Sequence, residues 1–266
     1  MRIEPNPLRT IAAVFLLPKC DMGCSFCGSE LGFDQLRFDE ALELFNALAR
    51  AGYSNLVLGG GEPALWRDGH RHLGDLASAA KERGFLVQVN TNGIALPTEP
   101  SRHYLDWAGV DRFILPLDGA TADSHDALRI TLSPKPGGHF KLVERRVAEC
   151  IERGRELTFG TVLTAGSATE VDGLVELLRE RLAAGARIHA WHLYRFQAVG
   201  RGGVGAATKL AIESRPYREA CRRAKAAGLP FPVYQRDDML HSTTVEFFWH
   251  EAGRLRIGSE VWGSAV

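Results

Sequence analysis

The chain has 266 residues, 45% of them hydrophobic, and carries 32 Lys plus Arg against 32 Asp plus Glu. That apolar content buries a large core, as one α/β-barrel-like domain or two small ones, and the balanced charge gives no global field to recruit nucleic acid or an anionic membrane. No apolar run of signal-peptide character follows basic residues at the start, so a cytoplasmic protein with neither nucleic acid nor membrane as a partner is expected.

Residues 11–17 read as a first buried strand, and the run Cys20-Asp21-Met22-Gly23-Cys24-Ser25-Phe26-Cys27 follows it. Soft thiolates select iron–sulfur clusters, zinc or copper(I), and three of them leave one iron of a four-iron cluster open. Two plainer readings compete. Positions 20, 24 and 27 share a helix face and would suit buried structural cysteines, but Pro18, Gly23, Gly28 and Gly32 oppose a helix. A closed zinc site wants a fourth Cys or His, and the nearest His, His70, lies beyond a predicted helix and strand.

Ala41, Leu44, Phe45 and Leu48 then follow helical spacing, and residues 56–58 form a second strand ending in Gly59-Gly60-Gly61-Glu62-Pro63. Leu73, Leu76, Ala77 and Ala80 mark a second helix before a strand at 86–89, which runs into Asn90-Thr91-Asn92-Gly93. A fourth strand at 113–117 ends in Asp118-Gly119. Phe140, Val143, Val147 and Ile151 make a helical stripe ahead of a fifth strand at 157–163. Val171, Leu174, Val175, Leu178 and Leu182 make another ahead of a sixth at 188–196. Short apolar strands alternating with helices imply an α/β fold with a buried parallel sheet and helices outside it. Six repeats fall short of a closed eight-fold barrel, so a partial barrel or open sheet is expected, with function on the loops after the strands.

The tail differs. Residues 214–227 read as a helix ended by Gly228 and Pro230, and alternation on either side of Glu251-Ala252-Gly253 predicts a β-hairpin. The expected division is a barrel over 1–210 and an extension over 211–266, packed on the same domain across the barrel's open side or mouth. Cys150 and Cys221 fall in predicted helices and read as small packing residues. Two such cysteines are too few for a second four-thiolate cluster.

Taken together, the C-x3-C-x2-C loop with Phe26 before its last Cys, Gly60-Gly61-Glu62-Pro63, Thr91-Asn92-Gly93, Leu117-Asp118-Gly119, His125-Asp126-Ala127-Leu128-Arg129 and Val199-Gly200-Arg201-Gly202 closely resemble the radical S-adenosylmethionine (SAM) superfamily over roughly residues 10–205. The resemblance implies a partial (β/α)6 TIM-like barrel whose Cys20, Cys24 and Cys27 bind three irons of a 4Fe–4S cluster. The fourth iron would take the amino nitrogen and carboxylate of SAM. An electron from an external flavodoxin- or ferredoxin-like donor would then cleave the sulfonium, and the resulting 5′-deoxyadenosyl radical would abstract a substrate hydrogen.

By the same resemblance, backbone around Gly60, Gly61 and Glu62, with Pro63 fixing the turn, receives the SAM amino group. Arg129 matches a position that pairs with the SAM carboxylate in some relatives, with a solvated arginine as the alternative. Asn90, Asn92 and Asp118 face the ribose or make ordinary turns, while Val162 and Tyr194 are weaker candidates for the adenine wall. Pro116 stands where relatives often have Ser, which departs from their ribose contact.

The substrate is less legible. With nothing cysteine after Cys221, branches carrying auxiliary clusters are disfavoured, and a compact enzyme acting on a small metabolite or natural-product intermediate is expected. His192, Tyr194, Arg195, Gln197, Tyr234, Arg236, Asp237, Asp238, His241 and Trp249 are candidate contacts, each with an ordinary structural reading beside it. Strand parity separates His192, Tyr194 and Phe196 from Leu193, Arg195 and Gln197 without saying which set faces inward. Alternative functions are a viperin-like nucleotide dehydratase, transfer of the 3-amino-3-carboxypropyl group of SAM, a zinc-binding interaction module, and a cluster used for electron transfer or sensing.

Overall fold

The structure is a computed structural model and describes residues 3–5, 8–29, 32–97, 107, 109–133, 137–238 and 241–258. Strand β1 (Ile11–Phe15) leads to helix α1 (Phe38–Arg50), strand β2 (Asn55–Gly59), a small ribbon of β3 (Arg67–Asp68) and β4 (Arg71–His72), helix α2 (Leu73–Glu82) and strand β5 (Leu86–Asn90). Strand β6 (Arg112–Pro116), helices α3 (Ala122–Leu128) and α4 (Gly138–Glu152), strand β7 (Glu156–Leu163), helix α5 (Val171–Ala183) and strand β8 (Arg187–Arg195) continue the alternation. Short helices α6 (Gly200–Gly203) and α7 (Ala207–Leu210) precede α8 (Ser214–Ala226), β9 (Val233–Arg236), β10 (Val245–Glu251) and β11 (Arg254–Gly258).

The main sheet has nine strands in the order β11-β10-β1-β2-β5-β6-β7-β8-β9. Every neighbouring pair is parallel except the β10–β11 hairpin. Among the described residues β9 and β11 are its two ends, so the barrel stays open. The tail is divided between those edges: β9 pairs with β8, and β10 pairs with β1. It widens the wall on both sides of the gap rather than lying across it as a separate cover.

Register separates two faces of this wall. Ala12 and Val14, then Leu56 and Leu58, Val87 and Val89, Phe113 and Leu115, Leu157 and Phe159, and Trp191 and Leu193 lie side by side on one face. All are essentially buried, in one cluster with Leu44, Phe45, Leu76, Val143, Val147, Leu174 and Leu178 of the helices. This is the core, and it accounts for the helical stripes. On the other face Phe15, Val57, Gln88, Ile114, Gly160, His192 and Tyr194 are only half-buried. The expectation of strands buried on both sides therefore holds fully for the helix side and in part for the inner one, where Ala13, Arg112 and Val162 are buried. Gly59 and Gly160 contribute no side chain to the inner face, and polar residues share it, so it is not filled as a closed barrel interior would be.

The floor of the concave face is closed by Arg112, which donates to Glu156 Oε2 from Nε at 2.7 Å and to Gln88 Oε1 from Nη1 at 3.2 Å. These residues are register partners on β5, β6 and β7, so one guanidinium ties three strands at their N-terminal ends. No helix among the described residues is long and apolar enough to cross a membrane.

The added strand β10 is part of the core: Phe248 is fully buried and packs edge-on to Tyr53 at 5.7 Å, whose hydroxyl donates to Glu246. Phe248→Ala should destabilise the protein by about 3–5 kcal/mol through the cavity it leaves. Urea unfolding measures this, and a loss below about 1 kcal/mol would contradict the packing role.

Candidate active site

No helix forms over residues 18–29, which removes the reading of Cys20, Cys24 and Cys27 as a buried helical stripe. The loop is held as an irregular ribbon against the segment leaving α3: Gly23 N–H donates to the Ile130 carbonyl at 2.8 Å, Ser25 N–H to Leu128 at 3.3 Å, and Leu132 N–H back to Asp21 at 3.0 Å. Its other flank is met by α6, where Gly202 N–H donates to the Cys27 carbonyl at 3.0 Å. A Cβ on Gly202 would sit 2.3 Å from the Cys24 carbonyl oxygen, so only glycine fits there.

Two arginines face the thiols from opposite sides. Arg129 Nη1 lies 3.9 Å from Cys24 Sγ with its guanidinium 4.7 Å from the centre of the Phe26 ring. Arg201 donates from Nη1 to the Pro18 carbonyl at 3.4 Å and lies near enough to Cys27 and Cys20 for their charges to raise it against burial. Burial pushes the Cys24 thiol up to about 11, against the pull of Arg129. Burial likewise raises Cys20. Deprotonated thiolates here call for charge compensation beyond two cations, which a coordinated metal supplies. Among the described residues the one group whose ligand atoms all gather within 4.8 Å is His125, Asp126 and His139.

The loop after β2 is pressed onto the cysteine loop. Gly61 N–H donates to the Leu17 carbonyl at 2.7 Å and Glu62 N–H to Lys19 at 2.8 Å. A Cβ on Gly61 would stand 2.2 Å from the Lys19 oxygen. Glu62 is 1% exposed, which excludes a surface carboxylate. Its Oε1 accepts from Ala64 N–H at 2.9 Å and Thr91 Oγ1 at 2.6 Å, and its Oε2 from Asn92 N–H at 2.7 Å. Burial raises this carboxyl to about 7, while the three donors pull the other way. Glu62 thus joins the turn at Pro63 to the loop after β5. The Asn92 side chain is committed too, donating from Nδ2 to Asp21 at 2.7 Å and accepting at Oδ1 from Ile94 N–H at 2.8 Å.

Asp118, fully buried after β6, accepts from Arg129 Nε at Oδ2 (2.6 Å) and from Val162 N–H at Oδ1 (2.6 Å). Arg129 is therefore an ion-pair partner, neither solvated nor presented alone to the site. Behind this pair runs a chain that the sequence reading missed. Asp118 N–H can only donate, so His125 Nδ1 accepts at 3.2 Å. Its Nε2–H then donates to His139 Nδ1 at 2.9 Å, and His139 Nε2–H to the Asn92 carbonyl at 2.8 Å. Both rings are buried and neutral, with burial and then Arg129 pushing each down to about 3. These bonds, with Asp126 Oδ1 capping Phe140 N–H at 2.8 Å, occupy the three residues as structure. His139 opens α4 in apolar company and leaves no sequence signal beyond its type.

Of the remaining candidates, Asn90 is exposed at the tip of β5, and Val162 and Tyr194 lie on the inner face. Pro116 ends β6, beyond the last residue of β5 that pairs with it, where a missing N–H costs no ladder bond. The parity question on β8 resolves: His192 and Tyr194 face inward with Tyr234 and Arg236, while Arg195 turns outward and donates to the Ile212 carbonyl at 3.3 Å. Gln197 and His241 each bond Asp238, Asp237 accepts from Gln235, and Trp249 is buried.

Removing one partner of a buried pair leaves an uncompensated charge. Arg129→Ala should destabilise by about 3–5 kcal/mol, and the double variant Arg129→Leu with Asp118→Asn should recover part of that. Chemical unfolding of the single and double variants tests this, and additive losses would reject the coupling. The neutral histidines have a pH consequence. Below pH 6.5 the unfolded chain takes up protons that the fold refuses until about 3, so stability is complete above 6.5 and falls as pH drops. The slope is about 1.4 kcal/mol per pH unit per ring. His139→Gln should flatten it by roughly one proton below about pH 5.5, where the unfolded ring is charged and the folded one is not, read from urea midpoints.

A family model described as the radical SAM superfamily matches residues 14–178. The chain is 28% identical over 202 residues to a PqqA peptide cyclase of Rhizobium meliloti, covering 71% of this chain and 50% of that one. It is 30% identical over 191 residues to an AdoMet-dependent heme synthase of Methanosarcina barkeri, covering 69% and 49%. The chain thus spans about half the length of these curated relatives. The solved structure of Streptococcus suis SuiB bound to S-adenosylmethionine shares the fold at a TM-score of 0.65 and 14% identity, over 90% of this chain and 58% of that one.

Proposed function

Because the chain belongs to the radical SAM superfamily, a family of enzymes that use a 4Fe–4S cluster and SAM, we propose that it cleaves SAM reductively and abstracts a hydrogen atom from a small-molecule substrate held on the inner face of the barrel. The observation that carries this reading is the cysteine loop itself. Three thiols on one irregular ribbon, with Arg129 beside Cys24 and Arg201 near Cys27 and Cys20, fit a multi-iron cluster with an open corner. When bound, the cluster supplies the electron that cleaves SAM to methionine and a 5′-deoxyadenosyl radical.

The chain's own residues have separable duties. Cys20, Cys24 and Cys27 hold the metal. Arg129 and Arg201 offset thiolate charge, and Phe26 packs under Arg129. Gly60 and Gly61 let the loop after β2 lie against the cysteine loop, and Glu62 fixes that loop to Thr91 and Asn92. This leaves backbone at the rim, with Asn90 and Val162 beside it, to receive the polar groups of SAM. Tyr194 walls the same concavity on β8. The half-buried inner face keeps bulk water from crowding the reacting centre while leaving room for a ligand. A flavodoxin- or ferredoxin-like protein supplies the electron, and the cytoplasm is the reducing compartment that suits such a loop.

Anaerobic reconstitution with iron and sulfide, followed by SAM and dithionite and mass spectrometry, tests the reading. 5′-Deoxyadenosine is the expected product, 5′-methylthioadenosine would redirect it to aminocarboxypropyl transfer, and neither product would reject it. Cys24→Ala should lose both the brown absorbance and SAM cleavage, whereas a fully active variant would overturn the ligand assignment.

A further inference from the structure

Resting on the reading of the inner face as the reaction chamber, we infer that this chamber selects a planar aromatic or heteroaromatic ring bearing a carboxylate or phosphate, with the ring against His192, Tyr194 and Tyr234 and the anion on Arg236. These four side chains come from adjacent strands and share one face by register, His192 opposite Tyr234 and Tyr194 opposite Arg236. His192 and Tyr194 stack with centroids 6.0 Å apart at 16°, and His192 and Tyr234 lie 5.0 Å apart at 39°. The result is one continuous π surface, over which a flat ring gains more contact than an aliphatic chain. Gly160, the register neighbour of His192, adds no side chain in front of it, and Tyr234 is 40% exposed.

The charge on this wall has one sign. Arg236 donates from Nε to His192 Nδ1 at 3.2 Å, and its guanidinium carbon lies 5.1 Å from the centre of the Tyr234 ring. Its terminal nitrogens have no carboxylate partner among the described residues. The next acids along the chain are engaged elsewhere, Asp237 with Gln235 and Asp238 with Gln197 and His241. Accepting at Nδ1 places the His192 proton on Nε2, and burial together with Arg236 keeps the ring neutral. The wall therefore offers a planar cation fork and a neutral N–H donor beside aromatic rings. A fork of this kind matches the paired oxygens of a carboxylate or phosphate, and a cationic ligand would be repelled. Toward the opposite edge of the sheet Phe15 and Phe247 stack on the same inner face at 5.9 Å and 24°, so both sides of the open barrel carry aromatic surface.

The test measures probe binding to the anaerobically reconstituted protein by calorimetry, with no SAM present. Indole-3-acetate is compared with 3-methylindole, uridine monophosphate with uridine, and acetate and inorganic phosphate serve as bare anions. At least one anionic ring should bind about tenfold or more tightly than its neutral partner and its bare anion, and the pair that shows the preference identifies carboxylate or phosphate. Arg236→Gln should abolish the preference and Arg236→Lys should keep part of it. Tyr234→Ala should weaken the neutral and the anionic ring alike. Equal affinity for neutral and anionic partners, no binding by any ring, or an unchanged preference in Arg236→Gln would overturn the inference. Since SAM takes no part, a wild-type protein that shows the preference but fails to cleave SAM would reject the radical reading alone.

Discussion

The ion pair between Asp118 and Arg129 is the constraint from which the rim of the barrel is built. Asp118 is fully buried, and a carboxylate there persists only if its charge and lone pairs are met. Arg129 meets one oxygen and the Val162 amide the other, so the end of β6 is fastened at once to β7 and to the strip that follows α3. That strip carries the backbone bonds that shape the cysteine ribbon, and the same guanidinium covers Phe26 and approaches Cys24. A mispaired Asp118 would thus disturb the cysteine loop without touching a cysteine.

Glu62 performs a parallel task on the other side, and the two meet through the histidines. Glu62 holds the Asn92 amide, and His139 holds the Asn92 carbonyl. The backbone of one residue is therefore gripped on both sides, by an acid from the loop after β2 and by a ring from α4. Four loops with no sequence proximity become one scaffold because each buried polar group has a partner in another loop.

Much of this was legible in the chain. The alternation of apolar runs and helical stripes located the strands and helices, because a parallel wall buried on its helix side imposes a regular hydrophobic period. The cysteine spacing and the glycine-rich turns located the rim, since glycine is required wherever backbones approach as closely as Gly61 and Lys19 do. What stayed hidden depends on tertiary pairing. Nothing local shows that Asp118 and Arg129 neutralise each other, that His125 and His139 form a relay, or that the hairpin after residue 244 pairs in parallel with the first strand. Strand parity on β8 was visible but its sense was not, because inside and outside are defined by helices distant in sequence.

Gly202 carries a last implication. It seals α6 against the carbonyl of Cys24, and α6 is the direct continuation of β8, whose His192 and Tyr194 line the concave wall. A ligand that shifts the end of this strand moves the amides that donate to Cys27 along a short covalent lever. The concave wall and the cysteine loop are consequently joined by a single stretch of backbone, so neither can shift without drawing on the other.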